Sequence, residues 1–109
     1  MFEYLEFRSV DGKPSGHDLK LFVLTTCTHC ACALQYLERE GLAYRVVNGD
    51  ELPIELKRRL RNDFIRSFHA PVRYPSLVID DGTLVTGFEQ VEWKAALGDR
   101  AEEGESNAR

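Results

Sequence analysis

The sequence predicts one α/β domain, in which helices flank a mixed four-stranded sheet in the order β-α-β-α-β-β-α. Three observations support this prediction. Between residues 19 and 48, a short apolar run, a helical pattern and a second apolar run follow one another, which is typical of a βαβ unit with parallel strands. An amphipathic helical pattern comes next. Two further apolar runs are then joined by Asp81-Gly82, a strong signal for an antiparallel hairpin.

The βαβ unit begins with residues 19–24, which are apolar, partly β-branched and short enough for a buried strand. The helix that follows has Ala33, Leu34 and Leu37 at helical spacing, and Gly41 is a good helix stop. Residues 42–48 predict the next strand. The cysteine-rich segment therefore lies where a strand leads into a helix, which is a usual place for a functional site in such sheets.

In the second half of the chain, residues 53–68 predict an amphipathic helix. Its apolar face repeats every four residues, at Leu56, Leu60, Phe64 and Phe68, with Ile65 beside this face. The cations of the segment lie on the opposite face. Residues 76–80 and 83–87 predict the strands of the hairpin. Residues 88–98 predict a last helix that ends at Gly98. We expect its inward face to carry Phe88, Val91 and Ala95, with Trp93 as a further candidate.

The predicted domain covers residues 19–98. Residues 1–18 predict an N-terminal extension, in which residues 2–7 could form an extra edge strand and residues 11–18 form a loop. Residues 99–109 are polar and lack apolar periodicity, which predicts a flexible C-terminal tail.

Composition and charge limit the classes of function. The chain has 109 residues, 43% hydrophobic and 29% charged, as expected for one globular domain that buries a core without disulfide bonds. A net charge of −4 argues against general affinity for nucleic acids or anionic membranes. No apolar run approaches the roughly 18 residues of a membrane span, and the N-terminus does not resemble a signal peptide. We expect a cytoplasmic protein without nucleic-acid or membrane partners, and we expect a monomer.

All three cysteines lie within six positions, and two of them form the motif Cys27-Thr28-His29-Cys30. This spacing at a strand-to-helix junction is typical of a redox-active dithiol. The positive end of the helix stabilises a thiolate on Cys27, and a thiolate is the attacking species in disulfide exchange. Cys30 lies one turn into the helix, so we expect it to be partly shielded. A protonated His29 would stabilise the Cys27 thiolate further.

Two alternatives to a redox pair remain open. The cysteines could be small apolar fillers, since a free cysteine is usually buried. They could also bind a metal, for which the chain offers the thiols of Cys27, Cys30 and Cys32 and the imidazoles of His17, His29 and His69. Because Cys30 and Cys32 are two residues apart, they point in different directions on a helix and make a poor tetrahedral site within one chain. A cluster that bridges two chains through Cys27 stays possible in this interpretation.

Cys32 is the odd thiol of the three. The simpler interpretation is a helix residue that faces the core or neighbouring side chains. The alternative is a third redox-active thiol that accepts glutathione or forms a mixed disulfide.

The sequence resembles the glutaredoxins, which have the thioredoxin fold. The resemblance depends on the strand-CTHC-helix junction, on "RYPSLVID", on "DDGTLVTGF" and on the closing helix, and it covers about residues 20–98. It is strongest with a subgroup of small bacterial and archaeal glutaredoxin-like proteins that also begin with a short strand and a "DGK"-like loop.

The resemblance implies a thiol–disulfide oxidoreductase in which Cys27 is the nucleophile and Cys30 is the resolving thiol. Thr28 and His29 would modulate the pair. No tightly bound cofactor is implied, and glutathione is a possible reductant. Protein or small-molecule disulfides are the implied substrates.

The resemblance also implies a substrate-binding set. Pro75 would be a cis-proline that faces the cysteines, and the backbone of Tyr74 would pair with a peptide or glutathione in β-fashion. Gly87 and Phe88, at the end of the hairpin, complete the implied set.

The sequence departs from the glutaredoxin pattern at three places. Leu24 stands where many glutaredoxins have a lysine or arginine, Thr28-His29 replaces Pro-Tyr, and the paired glycines and aspartates after the last strand are reduced to "TGFE". The electron source is therefore open between glutathione and a thioredoxin reductase, with Lys57, Arg58 or Arg73 as replacement cations. Two further functions stay open: an iron–sulfur or metal-binding glutaredoxin-like protein, and a redox-sensing docking module with little turnover.

Overall fold

The computed structural model describes residues 1–98 and contains a five-stranded mixed sheet with the strand order β1-β3-β2-β4-β5. The strands are β1 (Arg8–Val10), β2 (Leu19–Val23), β3 (Tyr44–Asn48), β4 (Ser76–Ile79) and β5 (Thr83–Thr86). The helices are α1 (Thr28–Glu40), α2 (Ile54–Phe68) and α3 (Gln90–Trp93), which continues as a π-helical turn over Lys94–Gly98, and a 3₁₀ turn covers Gly49–Glu51. The predicted tail, residues 99–109, lies outside the described residues.

The pairing of the strands explains the mixed sheet. β2 is parallel to β3, with Phe22 opposite Val47, and α1 connects the two. β4 is antiparallel to both β2 and β5. This order of elements confirms the predicted βαβ unit and hairpin, and it is the topology of the thioredoxin fold. None of the helices within residues 1–98 has the length and apolar character needed to cross a membrane.

The extra edge strand exists, but it does not lie at residues 2–7. Residues 8–10 form β1, which is antiparallel to β3. The preceding segment turns instead, because Phe2 and Leu5 both reach the core and the Leu5 N–H donates to the Phe2 carbonyl at 3.1 Å. An alternating strand pattern would have placed residues 2 and 5 on opposite faces.

Each face of the sheet carries its own apolar cluster. The first cluster lies between the sheet and helices α1 and α3, and it includes Leu21, Cys30, Tyr36, Leu37, Val46, Leu77 and Trp93. The second lies between the sheet, α2 and the N-terminal segment, and it includes Phe2, Leu5, Phe22, Val47, Leu60, Phe64 and Val78. The N-terminal extension is therefore part of the second core rather than an appendage.

The last helix faces the core through Trp93, the further candidate of the prediction, but not through the predicted Val91 and Ala95. Trp93 is fully buried, whereas Val91 is 71% exposed and Ala95 is also exposed. Positions two residues apart on a helix differ in direction by about 200°, so once Trp93 points inward its neighbours at 91 and 95 point outward. Phe88 precedes the helix, which is capped by the side chain of Glu89.

Candidate active site

The Cys27 sulfur is the N-cap of α1. Its backbone is extended, and Sγ accepts a hydrogen bond from the Cys30 backbone N–H at 3.2 Å. The first turn of α1 contains no acidic residue. The sulfur therefore lies at the positive end of the helix with no carboxylate on that turn to oppose it. Cys27 is partly exposed, so a substrate can approach it.

Cys30 lies behind Cys27 and is only 1% exposed. The backbone N–H of Leu24, just after β2, lies 3.5 Å from its Sγ. Burial, followed by the hydrogen bond with Cys27, raises the pKa of the Cys30 thiol to about 11. At neutral pH this thiol therefore stays protonated. The two thiols of the motif are therefore chemically unequal: Cys27 is accessible and caps the helix, whereas Cys30 is buried and neutral.

The simpler interpretation of Cys32 placed it against the core or neighbouring side chains. In the structure Cys32 is exposed instead. The reason is its spacing from Cys30, because two residues on a helix turn the side chain to the opposite side. Thr28 and His29 are also exposed, at the solvent side of the junction.

The imidazoles that might have joined a metal site belong to different elements of the fold. His17 pairs with Asp80 at 2.6 Å, and His69 is the C-cap of α2. Within residues 1–98 no group of three His, Cys, Asp or Glu side chains is arranged to hold a metal ion. Within the described residues, the cysteines and histidines that the sequence offered as metal ligands are therefore not brought together into one site.

The Tyr74–Pro75 peptide bond is cis, as the resemblance implies, and Pro75 is buried at the start of β4. The Pro75 carbonyl accepts a hydrogen bond from the Gly87 N–H at 2.7 Å. Gly87 has φ +77°, a left-handed conformation that favours glycine. The structure therefore brings Pro75 and Gly87 together, although they are twelve positions apart in the sequence.

The Gly87 carbonyl accepts a hydrogen bond from Trp93 Nε1 at 2.9 Å, which ties the end of the hairpin to α3. The Phe88 ring packs against Trp93 and Tyr36, with ring centroids 5.0 and 5.7 Å away. Phe88 is half-buried, so its main contacts are with the core beneath the site.

Tyr74 lies between the cysteines and the 3₁₀ turn. A Cβ on residue 49 would overlap the Tyr74 hydroxyl, so glycine is required there for this packing. Burial raises the pKa of Tyr74, and the neighbouring Asp50 and Cys30 raise it further. Tyr74 therefore connects the buried thiol with the turn that follows β3.

Sequence reasoning missed the pairing of Thr25 with Asp50. The backbone N–H and the hydroxyl of Thr25 both donate to Asp50 Oδ1 at 3.1 Å. Desolvation opposes ionisation of this carboxyl, but the hydrogen bonds from Thr25 outweigh it and lower the pKa of Asp50. The register of the parallel strands could have predicted this pair. Each residue of β2 lies opposite the residue of β3 that is 25 positions later, and continuing this register beyond the strand ends places Thr25 opposite Asp50.

A groove of about 390 Å³ opens next to Leu24, whose backbone nitrogen lies 3.5 Å from the Cys30 sulfur, but neither cysteine lines the groove. Its walls are Leu24, Gly49, Asp50, Lys57, Leu60, Arg61, Pro71, Val72 and Tyr74. Of the three replacement cations suggested by the sequence, only Lys57 lines this groove. Arg61, one turn further along α2, is the cation that sequence reasoning missed.

Comparison with known proteins decides the family. The glutaredoxin family model matches residues 19–85, which include both cysteines of the motif, the Tyr74–Pro75 bond and most of the hairpin. The chain belongs to the glutaredoxin family. The family resemblance predicted from the sequence is therefore confirmed.

Solved structures agree with this glutaredoxin assignment. A glutaredoxin from Methanosarcina mazei Go1 is 21% identical, with a TM-score of 0.72 over 86% of this chain and 89% of that one. Methanoredoxin from Methanosarcina acetivorans is 24% identical, with a TM-score of 0.64 over 81% and 96%. A glutaredoxin from Archaeoglobus fulgidus is 25% identical, with a TM-score of 0.62 over 72% and 84%. These similarities establish the thioredoxin fold. A search of curated proteins found no significant match.

Proposed function

We propose that this glutaredoxin reduces protein or small-molecule disulfides through the Cys27/Cys30 pair. The observation that carries the proposal is the inequality of the two thiols. Cys27 is partly exposed at the positive end of α1, and Cys30 is buried behind it with a raised pKa. A pair that must attack in a fixed order needs such an inequality, because the first thiol has to meet the substrate while the second waits.

The proposed reaction has two exchanges. The Cys27 thiolate attacks one sulfur of the substrate disulfide, forms a mixed disulfide and releases the first substrate thiol. Cys30 then loses its proton and attacks Cys27 Sγ, which releases the second substrate thiol and leaves a Cys27–Cys30 disulfide. Two electrons and two protons have passed from the protein to the substrate. An external reductant returns the pair to the dithiol.

We assign Thr28 and His29 a modulating role and Tyr74, Pro75, Gly87 and Phe88 a substrate-binding role. Thr28 and His29 are exposed beside the Cys27 sulfur. A protonated His29 would stabilise the thiolate and raise the reduction potential of the pair. Tyr74 forms one wall of the groove next to Leu24. An extended peptide or glutathione could pair with its backbone there.

Glutathione is the reductant that we propose, with no tightly bound cofactor. Leu24 stands where many glutaredoxins have a lysine or arginine. Lys57 lines the same groove as Leu24 and would replace that cation. A carboxylate of glutathione could pair with that ammonium group. The alternative electron source is a thioredoxin reductase.

A cytoplasmic, monomeric protein fits this activity. A dithiol that reduces other disulfides is returned to its reduced state by the thiol pool of the cytoplasm. The Cys27–Cys30 motif supplies both thiols of the proposed exchange from one chain, so the reaction itself calls for no second subunit.

A turnover assay with a small neutral disulfide tests the proposal. The assay is run in parallel with glutathione plus glutathione reductase and with thioredoxin reductase. Turnover with glutathione supports both the function and the reductant, and turnover with thioredoxin reductase alone supports the function and replaces the reductant. The absence of disulfide reduction with either system, and by the pre-reduced protein alone, would contradict the function.

A further inference from the structure

Helix α2 distributes its charges unevenly around its axis. It carries the five cations Lys57, Arg58, Arg59, Arg61 and Arg66, but only the two carboxylates Glu55 and Asp63. The chain as a whole has a net charge of −4, so this helix is opposite in sign to the rest of the molecule. At 3.6 residues per turn, both carboxylates lie on the same side of the helix as Arg59 and Arg66.

That side faces the N-terminal segment, and its charges are used within the chain. The Arg59 guanidinium lies over the Tyr4 ring, 4.1 Å from its centroid. The Tyr4 hydroxyl donates to Asp63 Oδ2 at 2.6 Å, and Arg66 pairs with Asp63 Oδ1 at 3.3 Å. The contacts on this side of α2 therefore hold the N-terminal extension in place.

The other side of the exposed surface of α2 carries cations and isoleucines but no carboxylate. We call it the basic flank, and it consists of Ile54, Lys57, Arg58, Arg61 and Ile65. Each of these residues lies three or four positions from another of the set, so they form one continuous stripe. Ile54 is 59% exposed and Ile65 is 50% exposed, although the sequence pattern had placed Ile65 beside the buried face. No carboxylate of α2 lies on this stripe.

The cations of the basic flank have little compensation. None of the three forms an ion pair within 4.0 Å with another of residues 1–98. Lys57 interacts electrostatically with Asp50 across the groove, but the Asp50 carboxylate is already bound by Thr25. Three cations and two exposed isoleucines thus face solvent together. A helix face whose only role is to be solvated needs no exposed isoleucines, so the combination indicates a contact with a partner.

The basic flank is continuous with the candidate active site. Lys57 and Arg61 line the groove that also contains Leu24 and Tyr74. The Leu24 N–H lies 3.5 Å from the Cys30 sulfur. A chain bound along the flank would therefore enter the groove on the side of the thiols.

We propose that the basic flank docks an acidic segment, interspersed with apolar side chains, of a protein whose disulfide is reduced at Cys27. This inference rests on the proposed function and specifies its partner. Carboxylates of the partner pair with Arg58 and Arg61, and its apolar side chains cover Ile54 and Ile65. Complementary charge of this kind chiefly raises the rate of association, and salt weakens the effect.

Single-turnover reduction by the pre-reduced protein tests the proposal without any external reductant. Three substrates are compared: a small neutral disulfide and two disulfide peptides of equal length, one with aspartate and leucine and the other with lysine and leucine beside the disulfide. We expect the acidic peptide to react about tenfold faster than the basic peptide at low salt, and the difference to shrink to about twofold at 0.5 M salt. Equal rates at low salt would overturn the proposal.

Matched variants locate the effect. Arg58→Glu should lower the acidic-to-basic rate ratio about fourfold, because Lys57 and Arg61 remain. Arg39→Glu makes the same charge change on the last turn of α1 and should change the ratio less than twofold. Ile54→Ser with Ile65→Ser should slow the acidic peptide about threefold without changing the charge. Equal effects of Arg58→Glu and Arg39→Glu would show that net charge, not the flank, decides the ratio.

Two readouts separate the possible failures. The rate with the small neutral disulfide should stay within twofold of the parent in every variant. If the parent fails on the neutral disulfide, the proposed function is wrong, whereas success there without an acidic preference removes only the docking surface. Binding of an acidic peptide with serines in place of its cysteines is compared with that of an oligonucleotide of equal charge. Tighter binding of the oligonucleotide would overturn the assignment to a protein partner.

Discussion

The sulfur of Cys27 accepts a hydrogen bond from the Cys30 backbone N–H at 3.2 Å, so the thiol that we propose as the attacking one is itself the cap of the helix that carries Cys30. One contact thus fixes the position of the sulfur and places it at the positive helix end. The same turn of helix carries Cys30 into the core, where it is 1% exposed. The inequality between the two thiols follows from one turn of helix geometry.

The raised pKa of Cys30 predicts a pH dependence of stability in the reduced protein. Between the ordinary pKa of 9.0 and about 11, the thiol ionises in the unfolded chain but not in the folded one. The free energy of unfolding should therefore be unaffected below pH 9 and should fall by roughly 2 kcal/mol as the pH rises to 11. Denaturant unfolding of the parent and of Cys30→Ala isolates this effect. Parallel profiles for the two proteins between pH 8 and 11 would contradict it.

Replacing Asp50 should make Cys30 more acidic. The negative charge of Asp50 raises the pKa of Cys30, after the larger effects of burial and Cys27. In Asp50→Asn the Thr25 N–H can still donate to the side chain, but the charge is gone. The second exchange of the reaction should accelerate about twofold at pH 7, since a somewhat larger fraction of Cys30 is a thiolate.

The measurement is the rate at which a preformed mixed disulfide on Cys27 releases its thiol. Glu55→Gln is the matched control, because it removes one negative charge from the far side of α2. An unchanged release rate in Asp50→Asn, or an equal acceleration in Glu55→Gln, would disprove the role of Asp50.

Adding a methyl group at Gly49 should disturb the site through Tyr74. The new Cβ overlaps the Tyr74 hydroxyl, and because the rest of that side chain is packed, the ring must move. We expect Gly49→Ala to lose about 1–3 kcal/mol of stability, as overpacked sites do, together with turnover. Tyr74→Phe in the same chain should restore part of the loss, because it removes the atom that clashes most. Thermal unfolding of the two single variants and the double variant checks this, and strictly additive losses would argue against the contact.

The sequence was sufficient for the main architecture because apolar periodicity and turn residues specify it locally. The Cys27–Cys30 junction, the βαβ unit and the hairpin all follow from segments of a few residues. The errors arose where burial depends on distant partners. Residues 2–7 turn because Phe2 and Leu5 fill the second core, and Val91 points outward because Trp93 fills the first.

The candidate site shows the same limit. Both cysteines and the Tyr74–Pro75 bond could be assigned from motifs. The Thr25–Asp50 pair and the basic flank depend on strand register and on which side of α2 meets the N-terminal segment. A register can be extrapolated once the strands are paired, but the sequence alone does not show which side of a helix is covered.

The order of the two thiols is the central claim, and trapping experiments on paired variants test it most directly. Each variant is reduced, incubated with a disulfide peptide and analysed by mass spectrometry. Cys30→Ser should accumulate a mixed disulfide on Cys27, because the resolving thiol is missing, while Cys27→Ser should form none there and lose turnover. Cys32→Ser is the control and should behave like the parent. A Cys27→Ser protein that keeps full dithiol turnover, or a Cys30→Ser protein that traps the peptide on Cys32 alone, would contradict the account.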